Sequence, residues 1–314
     1  MGSAKEAEGM EKRPMARAVV TGATGAIGIA LIKELVKDNV EVLVLCRPRS
    51  ARNARIPVHP LVTVRDCPLE GLSSLEEKEK TYDVFYHLAW AGTTGADRED
   101  MKKQTANIGY ALDAVALGAR LGCRRFIGVG SQAEYGRVEG VLRPDTPAFP
   151  ETGYGMGKLC AGLMTRGRAR QLGMEHIWVR VLSVYGPGDT EGSMVMSTIR
   201  KLKAGQIPSF TKGEQMWDYL YSRDAACALR LMGTKGVDGR TYVLGSGHAR
   251  PLKDHIKELR DVAAPKGKLA IGALPYGEKQ VMYLCADVSS LWQDTGWQAQ
   301  TSFAEGIREI LEEM

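Results

Sequence analysis

Long apolar runs are missing from this sequence. No stretch of about 18 apolar residues offers a membrane span, and the N-terminal MGSAKEAEGMEKRPM is charged, without the apolar centre of a signal peptide. Any C-x-x-C is missing too. The six cysteines, Cys46, Cys67, Cys123, Cys160, Cys227 and Cys285, are widely separated, which argues against a zinc ribbon or a disulfide framework and fits reduced thiols in a cytoplasm. No spacing of His, Cys and carboxylates suggests a metal site. There is no internal repeat or low-complexity linker. Charge of one sign is in small excess, net +5 with 25% of residues charged. That is too little and too scattered for nucleic acid, though it favours an anionic ligand. Residues 1–15 are expected to be a disordered lead-in or an expression remnant, in which KEAEGMEKR could form a fraying helix.

What is present is an alternation of strand and helix patterns. From Ala16, ARAVVTGATGAIGIALIKELVKDNVEVLVLCRP reads as a β-branched run, a glycine-rich turn, an amphipathic helix from about Ala26 to Lys37 and a second apolar strand from Val40 to Cys46. Further strands are predicted at LVTVRD, DVFYHLA, RRFIGVG and HIWVRVLSVYG, with helices near 71–80, 99–121 and 154–172. Continuous apolar strands separated by helices predict an α/β fold, a Rossmann-type doubly wound parallel sheet covered on both faces. The dinucleotide-binding domain is expected over residues 16–183. Residues 184–314 are expected to form mainly a smaller substrate-binding region, built from about 184–235 and 248–286, with 236–247 returning to complete the sheet.

Gly22, Gly25 and Gly28 fall at the first strand-to-helix turn, with Thr24, Ala26 and Ile27 among them. Glycine there permits a tight turn and a close approach of backbone N–H groups to a pyrophosphate at the helix N-terminus, and this context predicts nucleotide binding. An NAD site places a carboxylate at the end of the second strand, whereas a ribose 2′-phosphate calls for arginine. Here Cys46 is followed by Arg47, Pro48 and Arg49, so NADPH is expected, with NAD as the alternative. Asp66, closing the third strand beside Cys67, is a candidate adenine contact, or a turn residue.

Tyr154 and Lys158 lie four apart on one predicted helix and so share a face. An ammonium near a phenol stabilises phenolate and suits the tyrosine to acid–base work. Ser131 follows the apolar strand FIGVG at the carboxyl edge of the sheet, where its hydroxyl could hold a substrate oxygen. His87, at an apolar strand end, reads as a satisfied core histidine.

TGATGAIG, HLAWAG, Asn107 within TANIGYALDA, GSQAEYG, YGMGK and VRVLSVYGPGD, in this order, resemble the successive motifs of the extended short-chain dehydrogenase/reductases, the nucleotide-sugar epimerase/dehydratase family. The resemblance runs from about Ala16 to the C-terminal TGWQAQTSFAEGIREIL. It implies that Tyr154 is the catalytic acid/base, that Lys158 binds the nicotinamide ribose and tunes the tyrosine, and that Ser131 holds the reacting oxygen. Asn107 would be a supporting or proton-relay position, and Leu88, Ala89 and Trp90 would line the cofactor. The helices near 99–121 and 154–172 would pair into a four-helix homodimer interface.

Departures from the family pattern narrow the activity. The 4,6-dehydratases carry an acidic residue after the active-site Ser/Thr, whereas this chain has Gln132 and Ala133, with Glu134 displaced toward Tyr135. Trp217 stands where many relatives have a phosphate-binding arginine, and Ser183 replaces a common asparagine. Arg200, Lys201 or Lys203 could supply the missing charge, and Met194 and Met196 could flank a substrate pocket. The candidate substrate residues are therefore Gln132, Ser183, Met194, Arg200 and Trp217. The expected activity is NADPH-dependent reduction of a keto group, at the 4-position, on a nucleotide-activated deoxysugar. An NAD-dependent nucleotide-sugar epimerase is the alternative, and a nonenzymatic dinucleotide-binding redox sensor ranks below both. The implied partners are a nucleotide sugar and a second copy of the chain, with no nucleic acid and no membrane.

Overall fold

The computed structural model describes residues 14–76 and 80–314. Most of the expected lead-in lies outside the described residues, but its last residue, Met15, is buried with its sulfur 3.6 Å from the Tyr86 hydroxyl. Met15 therefore belongs to the packed fold rather than to the expected lead-in.

The first part of the chain lays down β1 (Arg17–Thr21), α1 (Ala26–Lys37), β2 (Glu41–Cys46), β3 (Val62–Asp66), β4 (Val84–His87), α2 (Met101–Arg120), β5 (Arg125–Ser131), α3 (Gly153–Gln171) and β6 (Glu175–Val181). The rest supplies β7 (Ser183–Tyr185), α4 (Met194–Lys203), β8 (Ser209–Phe210), β9 (Met216–Trp217), β10 (Tyr219–Tyr221), α5 (Ser222–Lys235) and β11 (Thr241–Leu244). It ends with β12 (Arg250–Pro251), α6 (Leu252–Ala263), β13 (Ala270–Ile271), β14 (Tyr283–Leu284), α7 (Ser289–Thr295) and α8 (Phe303–Glu313).

Seven strands form one parallel sheet in the order β11-β6-β5-β4-β1-β2-β3. Successive strand residues serve opposite faces. Val20, Val42, Val44 and Tyr86 pack toward α1 and α5, while Val19, Leu43, Leu45 and Phe85 pack toward α2. Helix α1 buries Gly28, Leu31, Ile32 and Leu35, the 3–4 spacing of a helix face, and each of its larger apolar side chains contributes about 1.5–3 kcal/mol by leaving water. No helix among the described residues is long and apolar enough to cross a membrane.

Two expectations need correction and a third needs extending. The helix expected near 71–80 is a short 3₁₀ turn at Leu69–Gly71 followed by turn as far as Ser74, and residues 77–79 lie outside the described residues. The Arg120 guanidinium donates to the carbonyls of Leu72, Ser73 and Leu75 at 3.1, 3.0 and 3.4 Å, so these acceptors are satisfied without helix. HIWVRVLSVYG is two strands, because after Leu182 the chain leaves the main sheet and β7 pairs in parallel with β10, Ser183 opposite Tyr219. Finally, α5 packs on α1 and buries Ala225, Ala226, Leu229 and Met232 against the sheet. The expected 236–247 contains β11, which completes the sheet beside β6, and α5, from Ser222, already packs on the same layer ahead of it. The remainder is made of two- and three-stranded ladders, β10-β7, β12-β9-β14 and β13-β8.

Candidate active site

The strand order reverses between β1 and β4, the position where doubly wound sheets open a ligand crevice, and a cavity of about 680 Å³ lies there. Gly22 shapes its floor. It adopts φ +75°, and a Cβ on it would come within 2.6 Å of the Ala89 backbone nitrogen, so only glycine lets the end of β1 meet the end of β4. Gly25 is the N-cap of α1 and supplies no side-chain cap, which leaves first-turn N–H groups free to bind an anion. Gly22, Thr24, Gly25, Ala26, Ile27, Gly28, Arg47 and Cys67 line the cavity, as do Leu88, Ala89 and Trp90.

Four cofactor candidates lie outside that lining, Tyr154 and Lys158, described below, and Asp66 and Asn107. Asp66 is exposed, whereas its neighbour Cys67 faces the cavity. Asn107 is buried in α2, where its side chain clamps Ala91: Oδ1 accepts the Ala91 N–H at 2.8 Å and Nδ2 donates to the Ala91 carbonyl at 2.9 Å. It positions the strand-end loop from behind. His87 is buried with its Nδ1 2.9 Å from the Thr21 hydroxyl, and burial pushes its pKa down to about 3, so it stays neutral.

Sequence reasoning stopped short of Ser50, Arg52 and Asn53, which also line the cavity beyond β2. The signal was the run RPRSARNAR, of which Arg47 alone was singled out. Asn53 Nδ2 donates to the Arg47 carbonyl at 2.8 Å, and Arg55 reaches the Gly188 carbonyl at 3.3 Å, joining this loop to the one after β7. That second loop contributes Gly188, Asp189 and Thr190 to the cavity, and burial raises the pKa of Asp189.

Ser131, Tyr154 and Lys158 adjoin the cavity across Trp90. Ser131 ends β5 and is fixed by a reciprocal cap: its Oγ accepts the Ala133 N–H at 3.2 Å and its own N–H donates to Glu134 Oε1 at 2.8 Å. Glu134 is fully buried and also accepts from Trp178 Nε1 at 3.0 Å and Arg180 Nε at 2.8 Å. Thr152 caps α3, and a Cβ on Gly155 would lie 2.2 Å from the Ala133 carbonyl oxygen. Glycine at that point lets the start of α3 press against the serine turn and brings Tyr154 to Ser131.

One turn along, the Lys158 ammonium is buried, donates to the Val129 carbonyl at 2.6 Å and lies 4.1 Å from the centre of the Trp90 ring. Burial lowers its pKa to about 7, while Glu134 pulls the other way. The Trp90 Nε1 donates to Gln104 Oε1 at 2.7 Å, and its ring stands edge-on to Tyr154. Burial raises the Tyr154 pKa, and the Ser131 hydroxyl and the Arg98 guanidinium pull it back down.

The substrate candidates do not converge on this cavity, and none of the five lines it. Gln132 begins the serine turn and Ser183 begins β7. Met194 packs beside Val195 and Ile199 in the α4 cluster. Arg200 pairs with Glu191 at 3.1 Å, both well exposed. Trp217 packs near Tyr135 and Leu142, and its buried Nε1 has no partner among the described residues. Across the ladder from Trp217 stands Arg250, which pairs with Glu258 and His255.

Residues 18–245 match the NAD dependent epimerase/dehydratase family. Among curated proteins, a dTDP-glucose 4,6-dehydratase of Shigella flexneri is 27% identical over 179 residues, 54% of this chain and 50% of that protein. The match to that relative and to several further dTDP-glucose 4,6-dehydratases thus spans about half their length. A CDP-abequose synthase of Salmonella typhimurium is 22% identical over 312 residues, 94% of this chain and 97% of that one. Among solved structures, a UDP-glucose 4-epimerase of Thermotoga maritima, determined with UDP-glucose, shares the fold. It has a TM-score of 0.83 at 21% identity, covering 94% of this chain and 97% of that one.

Proposed function

The chain belongs to the NAD dependent epimerase/dehydratase family, oxidoreductase-type enzymes of the extended short-chain dehydrogenase/reductase superfamily, and from that premise we propose that it is an NADPH-dependent reductase of a keto group, the 4-keto group, on a nucleotide-activated deoxysugar. The observation that carries this reading is the far end of the cavity. Arg47, Ser50 and Arg52 line it just beyond β2, at the place where a carboxylate would otherwise meet a 2′-hydroxyl. Two guanidiniums and a hydroxyl suit a 2′-phosphate. The residues present also fit the rest of the dinucleotide, with the uncapped N-terminus of α1 for its pyrophosphate and residues 88–90 beside its nicotinamide end.

When bound, NADPH supplies a hydride to the carbonyl carbon. The chain's own groups handle the oxygen. The Ser131 hydroxyl, held by its cap, orients the carbonyl, and the Tyr154 hydroxyl donates the proton that turns the developing alkoxide into an alcohol. Lys158, one turn along α3, places a positive charge near that exchange when it is in its ammonium form. Glu134, fully engaged with Ser131, Trp178 and Arg180, is not free to remove a proton from the sugar, which supports reduction over dehydration.

A nucleotide-sugar epimerase draws on the same groups and is favoured equally by the absence of a carboxylate at 132 and 133. An epimerase would copurify with NAD and need none added, whereas a reductase consumes NADPH stoichiometrically. NADPH oxidation measured at 340 nm against a panel of 4-keto-6-deoxysugar nucleotides tests the reading: turnover of at least one is expected, and bound NAD with no consumption would replace it by the epimerase.

The same proposal takes the protein as a homodimer in the cytoplasm. Met156, Leu163 and Met164 give α3 an exposed apolar face, and Cys46, Cys67, Cys123 and Cys285 are buried free thiols. Outside the returning segment from Ser222 to Leu244, residues 184–314 form the substrate side.

A further inference from the structure

The cation closest to the Tyr154 ring is not Lys158. Arg98, in the short 3₁₀ helix Gly95–Glu99 of the loop before α2, places its guanidinium carbon 4.2 Å from the centre of the Tyr154 ring, whereas the Lys158 ammonium lies 5.9 Å away. Lys158 is turned toward the Val129 carbonyl and the face of Trp90. Arg98 is not committed elsewhere: among the described residues its side chain makes one hydrogen bond, to the Thr93 carbonyl at 3.1 Å. Its loop is fastened to the same helix end, since Glu99 accepts the Gly153 N–H at 3.2 Å. The loop also contributes Thr93, Thr94 and Asp97 to the wall of the cavity.

We infer that Arg98 is the positioning residue that holds the Tyr154 phenol ready to ionise, a role the family pattern implies for Lys158. This rests on the reading of Tyr154 as the acid/base. A guanidinium keeps its charge at every working pH, whereas burial leaves the Lys158 amine half neutral near pH 7. A permanent charge at this distance stabilises phenolate whatever the state of the lysine. The groups that face Tyr154 from the elements around it are Arg98 from the loop, Lys158 from α3 itself, and Ser131 and Glu134 from the end of β5. Arg98 and Ser131 favour ionisation, and burial and the Glu134 carboxylate oppose it. Because Arg98 sits on a cavity-lining loop, the readiness of the tyrosine is tied to the placement of that loop.

The test replaces Tyr154 of the full chain by 3,5-difluorotyrosine, whose lower intrinsic pKa brings its ionisation into a pH range where the protein stays folded. Phenolate absorbance is then followed with pH, without substrate or cofactor. Arg98→Gln should weaken the ionisation constant about tenfold or more, Arg98→Glu should weaken it further, and Arg98→Lys should recover part of the loss. Lys158→Met should shift it less than Arg98→Gln, and circular dichroism checks the fold of each variant. An unchanged constant in Arg98→Gln and Arg98→Glu, or a larger shift in Lys158→Met, would overturn the inference. Since no turnover is read, a failure of the keto-sugar panel would remove the proposed function and leave this result standing.

Discussion

The two ends of the ligand-binding surface are built differently. On the nucleotide side, strands of four to seven residues in one parallel sheet present backbone and glycine to the cavity. On the side proposed for the substrate, the strands are of two or three residues and their short ladders are braced by side chains. Asp218 is the plainest case: fully buried, its carboxylate accepts N–H groups of Ser246, Gly247 and Ala286 at 2.7, 3.1 and 3.0 Å and the Ser246 hydroxyl at 2.6 Å. A dinucleotide offers every member of the fold the same pyrophosphate, so a rigid backbone frame suffices. A scaffold of short ladders tied by one carboxylate can change its surface residues without disturbing that frame.

The comparison breaks first where the two sides meet. Tyr154→Phe should lower reductive turnover by about 10²–10⁴-fold while NADPH binding, followed by fluorescence titration, stays within about twofold, because the phenol hydroxyl acts in chemistry and the frame is untouched. An equal loss of both would place Tyr154 in the frame instead.

Asp218→Ala sharpens the contrast. It leaves buried backbone donors unpaired, at about 1–3 kcal/mol for each one that finds no replacement. Urea unfolding should show a large loss of stability, and hydrogen exchange should quicken in residues 213–218, 245–251 and 283–287 while β1 and β2 keep their protection. Uniform quickening would mean that the two sides unfold as one unit.

Lys158 gives a pH signature within the frame. Its pKa falls from 10.5 to about 7 on folding because burial disfavours the ammonium. Between those values the unfolded chain binds the proton that the native chain lacks, so native stability rises with pH across the window. The melting temperature of the wild type relative to Lys158→Met should therefore climb from pH 7 to pH 9.5, and a flat difference would show that the Val129 carbonyl and the Trp90 face keep the ammonium charged.

The smallest effect belongs to Trp217→Ala, which should leave NADPH affinity unchanged and raise KM for the nucleotide sugar by about tenfold or less. A shift in cofactor affinity would contradict the division.

How far each side was legible in the sequence follows from the same difference. The helix from Ala26 to Lys37 was read to its end residues, because glycine punctuation and 3–4 apolar spacing are local signals. Ser131, Tyr154 and Lys158 were singled out by their places in the strand–helix order, and the structure sets them near one another. Ser50 and Arg52 were missed although they lie in the same basic run as Arg47, since only the loop's path shows which of its residues face inward. Arg98 was missed for a stronger reason: its partner is 56 positions away and a ring stacked on a guanidinium leaves no spacing to read. On the side proposed for the substrate, two-residue strands have no period; Gln132, Ser183 and Trp217 came from family positions and Met194 and Arg200 from residue type alone, and the structure does not gather the five around the cavity.

The central claim is cofactor choice, and the direct measurement is calorimetric titration of the purified protein with NADPH and with NADH, repeated on an Arg47→Ala, Arg52→Ala double variant. Charge-assisted contacts of about 1.5–3 kcal/mol each predict that NADPH binds tenfold or more tightly than NADH and that the double variant loses the preference by weakening NADPH alone. Equal affinities in the wild type, or a preference for NADH, would contradict the account.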